Sequence, residues 1–202
     1  MIVAVIRHAK VDMKWKFMMT SAGYDKGCAD YDTADVLPVS VDLPETEFDR
    51  IYVSALPRTT ATARQVFADR EFDKTALINE VPERAGFDTG MKLPMFFWSA
   101  VSRIQWFFNV PRQPETRAQT RLRARKAVQY LSQKNEDCAV FCHGFFMIFL
   151  LQELEKLGFK ADHKRLHYSN GEAVVCRKGA NDPRGRSIRS NDPRGRSIRS
   201  IN

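Results

Sequence analysis

The sequence predicts an α/β fold, a three-layer α/β/α arrangement around a mostly parallel central sheet. Short continuous runs rich in β-branched residues recur along the chain, and stretches of helical length separate most of them. Arginines and histidines cluster just past the ends of those runs, at the edge where a parallel sheet binds ligands.

Ile2-Val3-Ala4-Val5-Ile6 is an apolar run of the kind covered on both faces and is predicted as the first strand, ending at Arg7-His8. Met13 to Val36 mixes Trp15, Phe17, Tyr24 and Tyr31 with Lys, Asp and Gly and keeps no single period, so a loop with a short helix is expected. Arg50-Ile51-Tyr52-Val53 reads as the second strand. Pro57 then opens a helix over Arg58 to Phe67, because the first helical turn tolerates a missing N–H. Ala76-Leu77-Ile78 is expected as the third strand, followed by a helix over Leu93 to Phe108. In a further helix, Glu115 to Gln133, Ala118, Leu122, Val128 and Leu131 keep helical phase while Arg117, Arg121, Arg123 and Arg125 fall on other faces. Cys138 to Cys142 is the fourth strand. Phe145 to Leu157, apolar almost all round, is expected to pack deep against the sheet and to stop at Gly158. Glu172 to Cys176 is the fifth strand.

The 202 residues fit one domain able to bury its own core, with 44% apolar and 28% charged residues and 14 Phe against any disordered reading. The net charge of +8 is uneven, because Asn181 to Ser190 repeats unchanged as Asn191 to Ser200 and each copy adds +2, leaving +4 on residues 1 to 180. A decapeptide repeat with no apolar periodicity cannot stack as a solenoid, whose units need about 20 residues or more. Residues 1–180 are therefore read as the catalytic domain and 181–202 as a basic tail, disordered or added to the native chain. Nucleic-acid binding would rest on that tail alone. The four cysteines form no C-x-x-C pair and no zinc spacing, which points to free thiols in a reducing cytoplasm. Neither Met1 to Ile6 nor Phe145 to Leu151 is long enough to span a membrane, so no membrane partner is expected.

Arg7-His8 follows the first strand, Arg58 the second and His143-Gly144 the fourth, so topology brings two arginines and two histidines to one sheet edge. Such a cluster suits an anion, and phosphate above all. Arg7 and Arg58 present planar forks that stay charged and match phosphate oxygens. A neutral imidazole can attack phosphorus and hold the group covalently, with the second imidazole stabilising charge. Helices starting near Arg58 and at Gly144 aim N–H groups at the same place, and glycine permits close backbone approach.

Ile6-Arg7-His8-Ala9 resembles the Arg-His-Gly signature of the histidine phosphatase (phosphoglycerate mutase-like) superfamily. Ser54-Ala55-Leu56-Pro57-Arg58, continuing to Thr62-Ala63, is similar to its Ser-x-x-x-Arg-x-x-x-Thr-Ala stretch, and Phe141-Cys142-His143-Gly144 to its second histidine motif. The resemblance spans residues 1 to about 177 in the family's order. It implies a phosphoglycerate mutase-like fold and His8 as nucleophile. Arg7, Arg58 and His143 would line the phosphate pocket, with neither metal nor other cofactor. It also implies an acid that protonates the leaving group, set after the third strand in a Leu-x-Glu context. Glu80 in Leu77-Ile78-Asn79-Glu80 is favoured because it follows the apolar run directly, and Glu83 is its rival. Ala9 stands where the family usually has Gly, and Lys10 where many relatives carry Glu; neither change removes a reacting group.

The region Met91 to Phe108, rich in Phe and Trp, corresponds to the family's pocket-capping insertion, although large aromatics ordinarily fill core. Arg103, Arg112 and Arg117 either meet a second anionic group or lie solvated on the surface. Lys14, Trp15 and Lys16 follow the nucleophile closely enough to reach the rim, yet an exposed coil suits them better. His163 and His167 match no motif. No Gly-rich P-loop and no clustered carboxylate–histidine ligand set is present in the sequence. The expected activity is hydrolysis of a phosphomonoester, on a phosphorylated small molecule or phosphoprotein, through phospho-His8. Mutase transfer and phosphohistidine or phosphoprotein dephosphorylation stand as alternatives within the family. A catalytically silent phospholigand-binding protein is the alternative outside enzymes.

Overall fold

The computed structural model describes residues 1–179, and the basic tail expected over 181–202 lies outside the described residues. The elements run β1 (Ile2–Arg7), β2 (Met18–Met19), α1 (Ser21–Thr33), β3 (Arg50–Ser54), α2 (Pro57–Val66), β4 (Asp73–Thr75), β5 (Leu93–Pro94) and α3 (Met95–Phe107). They continue with α4 (Arg117–Lys134), β6 (Cys138–Cys142), α5 (Gly144–Lys156), β7 (Phe159–Ala161) and β8 (Ala173–Lys178). Six strands form one sheet in the order β4-β3-β6-β1-β8-β7. The pairs β4/β3, β3/β6 and β6/β1 are parallel, while β8 runs antiparallel to both β1 and β7. The mostly parallel α/β expectation holds.

Alternation along the strands explains the layers. Val3, Val5, Val140 and Cys142 share one cluster with Ala124, Val128 and Leu131 of α4 and Phe146, Leu150 and Leu154 of α5. Ala4, Ile6, Ile51, Val53 and Phe141 face the other way, with Ala63 of α2 and Phe48. Both faces of β1 are covered, as its continuous apolar run requires. A smaller cluster of Met19, Tyr24, Ala85 and Trp98 joins α1 to α3, and the two-stranded ribbon of β2 and β5 ties the same region together.

Three expectations are corrected. Ala76-Leu77-Ile78 is a single 3-10 turn rather than a strand. The strand lies just before it in the polar Asp73–Thr75, pairing with β3 at the edge of the sheet, where one face of solvent contact suits Asp and Lys. Thr75 ends that strand by accepting the Leu77 N–H at 3.2 Å, which tightens the chain into the turn. Met13 to Val36 contains a helix of 13 residues, capped by Thr20 accepting from the Gly23 N–H. The expected helix is thus present and longer than a short turn, with only Ser21 and Tyr24 of it buried. In α4 the buried stripe is Thr120, Ala124, Ala127, Val128 and Leu131, whereas Leu122 is half exposed. Thr120 joins the core because its hydroxyl accepts the Trp106 indole N–H at 3.0 Å. Gly158 ends α5 at φ +87°, as anticipated. Among the described residues, no helix is long and apolar enough to cross a membrane.

Candidate active site

Arg7 is the last residue of β1, His8 follows it, His143 follows β6, and Arg58 is the second residue of α2 beyond β3. Since β3, β6 and β1 are parallel neighbours, all four residues gather at one sheet edge. Three of them are deeply enclosed: His8 is 2% exposed, Arg58 1% and His143 0%. The two imidazoles lie 5.0 Å apart between ring centres.

Hydrogen bonds fix both ring tautomers. His8 Nδ1 is 2.7 Å from the Ala9 carbonyl, which can only accept, so Nδ1 carries the proton and Nε2 keeps a free lone pair. His143 receives the Arg58 Nε–H at its Nδ1, at 3.1 Å, so its proton is on Nε2 and is donated to Ser54 Oγ at 2.8 Å. Ser54 in turn donates to Thr59 Oγ1 at 3.0 Å, and Thr59 donates to the Leu56 carbonyl at 3.0 Å. The chain of donors thereby locks the second histidine to the start of α2. Both nitrogens of His143 are used by protein, and only His8 retains a nucleophilic one.

The electrostatics agree with that tautomer. Burial first, then the Arg58 guanidinium, pushes His8 from 6.5 down to about 3, with Arg7 adding to the effect and the Ala9 hydrogen bond opposing it. Burial also holds His143 well below 6.5, assisted by Arg58, His8, Arg123 and Arg7. The sign for stability follows. Unfolded imidazoles gain protons below about pH 6.5 while these folded ones stay neutral, so the unfolded state binds more protons and stability falls as pH drops from about 6.5 toward 3. The urea midpoint at about pH 4.5 is expected below that at about pH 7, with a smaller drop in His8→Asn. Equal drops in the two proteins would remove His8 as a cause.

Arg58 is held at both ends, by His143 and by Asp32 Oδ1 at 2.8 Å from its terminal nitrogen, with the Tyr31 ring 5.1 Å from the guanidinium carbon. Arg7 donates to the Tyr168 carbonyl and comes within 3.4 Å of His167 Nε2, while its Nε is buried with no partner among the described residues. Gly144 is needed here for space. A Cβ at that position would stand 2.7 Å from Arg7 Nε and 2.9 Å from its central carbon, so the glycine serves the passage of the arginine.

Glu80 reaches the same corner by a different route from the one its sequence suggested. After the 3-10 turn its carboxylate swings to the start of α5, accepting from the N–H groups of Phe146 at 3.0 Å, Phe145 at 3.3 Å and its neighbour Val81 at 2.9 Å. Glu83 is engaged elsewhere: Tyr24 at 2.5 Å and Ser99 at 2.9 Å donate to one oxygen, and Arg103 lies 2.5 Å from the other. That arrangement fastens α3 to α1.

Beside the cluster opens a cavity of about 730 Å³, bordered by Arg58 and Glu80 and roofed by α3 through Met95, Ser99 and Arg103, which share one helical face. The aromatics of α3 do not line it: Trp98 and Trp106 are core, and Phe96, Phe107 and Phe108 point outward. The aromatic wall comes from Trp15, Tyr24 and Tyr31, while Lys14 and Lys16 are exposed. Arg103 is paired with Glu83, Arg112 with Asp88, and Arg117 lies over the Phe107 ring. His163 lies between Asp162 and Glu172. Among the described residues, no group of three or more His, Cys, Asp or Glu is placed to hold a metal ion.

Sequence reasoning missed Asp32, Tyr31, His167 and Asn170, whose side-chain amide donates to the His8 carbonyl at 2.9 Å. Ser54 and Thr62 stood in the recognised stretch without assigned roles; Thr62 accepts the Ala9 N–H at 2.9 Å and donates to the Arg58 carbonyl at 2.7 Å.

Residues 34–191 match the histidine phosphatase superfamily (branch 1), and the chain belongs to that superfamily. Arg7 and His8 precede the matched stretch. Among solved structures, the α-ribazole phosphatase of Shigella flexneri is similar in fold, with TM-score 0.51 and 16% identity over 87% of this chain and 89% of that one. A phosphoserine phosphatase from Entamoeba histolytica gives 0.46 with 15% identity over 77% and 80%. A mycobacterial glucosyl-3-phosphoglycerate phosphatase gives 0.48 with 16% identity over 77% and 79%. No curated protein sequence matches the chain.

Proposed function

We propose that the chain is a phosphomonoester phosphatase that works through a phosphohistidine on His8. The observation that carries this reading is the Nδ1–H of His8 bound to its own loop carbonyl, which leaves Nε2 unprotonated beside two buried or half-buried arginines. Phosphate docks against Arg7 and Arg58, and its oxygens supply the acceptor that Arg7 Nε lacks. His8 Nε2 attacks phosphorus, a P–N bond forms, and the ester P–O bond breaks. The leaving oxygen takes its proton from the Glu80 carboxyl group. Water then attacks phospho-His8 and gives its proton back to Glu80, releasing phosphate and the neutral imidazole. His143 acts as a positioning residue, since both its nitrogens are occupied in aiming Arg58.

Glu80 is preferred over Glu83 because it lines the cavity held only by backbone N–H groups, whereas Glu83 is tied to the Arg103 guanidinium at one oxygen and to Tyr24 and Ser99 at the other. The test is quenched-flow trapping of acid-labile phosphate, with identification of the labelled residue by mass spectrometry. Label on His8 is expected, and Glu80→Gln should slow phosphoenzyme formation from an alkyl phosphate by about 100-fold while sparing an activated aryl phosphate. Absence of label with every donor sinks the phosphohistidine route. If Glu83→Gln alone shows the leaving-group-dependent loss, the acid is Glu83.

A further inference from the structure

The compartment next to the phosphate cluster has no lysine and no unpaired guanidinium among its described lining residues, and it has an aromatic wall. Resting on the phosphatase reading above, we propose that the substrate is a small phosphomonoester whose leaving group is a ring-bearing alcohol without negative charge, and that anionic leaving groups are rejected.

Charge is the first ground. The cavity is bordered by five carboxylates against three guanidiniums, and no lysine is among its described lining residues. Each guanidinium beyond the phosphate cluster is already satisfied. Arg103 meets Glu83 at 2.5 Å and lies 4.0 Å from the centre of the Phe145 ring. Arg123 forms a two-pronged contact with Glu115 at 2.9 and 3.2 Å, and its Nη1 donates to the carbonyls of Leu77 and Asn79. Arg58 is committed to the transferring group. A carboxylate or second phosphate on the leaving group would find each lining guanidinium already paired with a carboxylate and no cation to spare. The mutase alternative needs such an anionic partner in this space, so the same charge balance disfavours it.

Shape is the second. Trp15 lies 6.0 Å from Tyr24 and 6.0 Å from Tyr31, measured between ring centres, and its position is fixed by Gly27, where a Cβ would come within 2.7 Å of the indole. Tyr31 carries this wall to the phosphate anchors, since it also lies beneath the Arg58 guanidinium and 6.5 Å from the His8 ring. A volume of about 730 Å³ accommodates a small molecule with one or two rings. A flat ring attached two or three bonds from the ester oxygen would lie on Trp15 and Tyr31 while its phosphate meets Arg58 and His8.

The experiment compares kcat/KM for three alkyl esters of similar intrinsic reactivity: 2-phenylethyl phosphate, glycerol 3-phosphate and 3-phosphoglycerate. The first is expected to exceed the second by about tenfold or more, and the third to fall about tenfold or more below the second. Trp15→Ala should shrink the ratio of the first to the second by about tenfold, and Trp15→Phe should preserve it. The proposal is overturned if 3-phosphoglycerate equals or beats glycerol 3-phosphate. It is equally overturned if the first ratio is unmoved in Trp15→Ala. Should Trp15→Ala not fold, the wild-type ratios and Trp15→Phe decide. Failure of the underlying chemistry reads differently, as absence of acid-labile phosphate on His8 with all three esters.

Discussion

In His8→Ala, turnover and acid-labile phosphate on the protein are both expected to disappear, with kcat/KM lower by about four orders of magnitude or more. The size follows from the lack of a substitute. His143 is 5.0 Å away between ring centres, but its Nδ1 holds the Arg58 Nε–H and its Nε2 is bound to Ser54, so it presents no lone pair. The three cysteines in strands, Cys138, Cys142 and Cys176, are buried, and burial pushes each thiol upward, to about 12 for Cys138 and Cys176, so none supplies a thiolate. Calorimetric titration with inorganic phosphate separates this from unfolding, because Arg7 and Arg58 remain to bind the anion. Turnover retained within about tenfold by a folded His8→Ala protein contradicts a phosphohistidine intermediate.

Arg58→Lys is expected to lower kcat/KM by about two to three orders of magnitude, although the charge is kept. Arg58 spans from His143 at its Nε to Asp32 at its terminal nitrogen, and its central carbon lies 5.1 Å from the centre of the Tyr31 ring. A lysine ammonium has neither the reach nor the geometry to hold both ends. His143 Nδ1 then loses its donor inside a fully buried site, which frees the ring to turn and weakens its bond to Ser54. Steady-state kinetics with 2-phenylethyl phosphate and with p-nitrophenyl phosphate should show the same loss, since the defect lies at the transferring phosphoryl group. A change confined to KM would assign Arg58 to docking alone.

The sheet and the reacting cluster were legible in the sequence because each rests on a local signal. Buried parallel strands demand unbroken apolar runs, and β1 and β6 are such runs; Arg7-His8, Arg58 and His143 then fall at strand ends by adjacency alone. The edge strand Asp73–Thr75 was not legible, since pairing on one side with solvent nearby leaves no apolar pattern to read. That error carried into Glu80, whose place at the head of α5 depends on a 3-10 turn and on a contact 66 residues away in sequence. Asp32 and Asn170 were hidden for a related reason: their partners, Arg58 and the His8 carbonyl, lie 26 and 162 residues distant, and neither residue belongs to a motif. Arg103 was read as a choice between ligand and solvent because its actual partner, Glu83, was being weighed for another task.

The placement of β1 bears on how the protein is made. Its neighbours in the sheet are β6 and β8, so Val3 pairs with Cys138 on one side and with Cys176 on the other. His8 precedes both of these strands along the chain and is therefore synthesised before them. Until β6 emerges, the apolar segment from Ile2 to Ile6 has no partner strand, and the later loop carrying Tyr168 and Asn170 has still to reach Arg7 and His8. Long-range pairing of this kind folds slowly and leaves nascent chains dependent on protection from aggregation. The defined orientation of His8 thereby waits on segments far downstream, because the Asn170 amide that holds its carbonyl arrives 162 residues later.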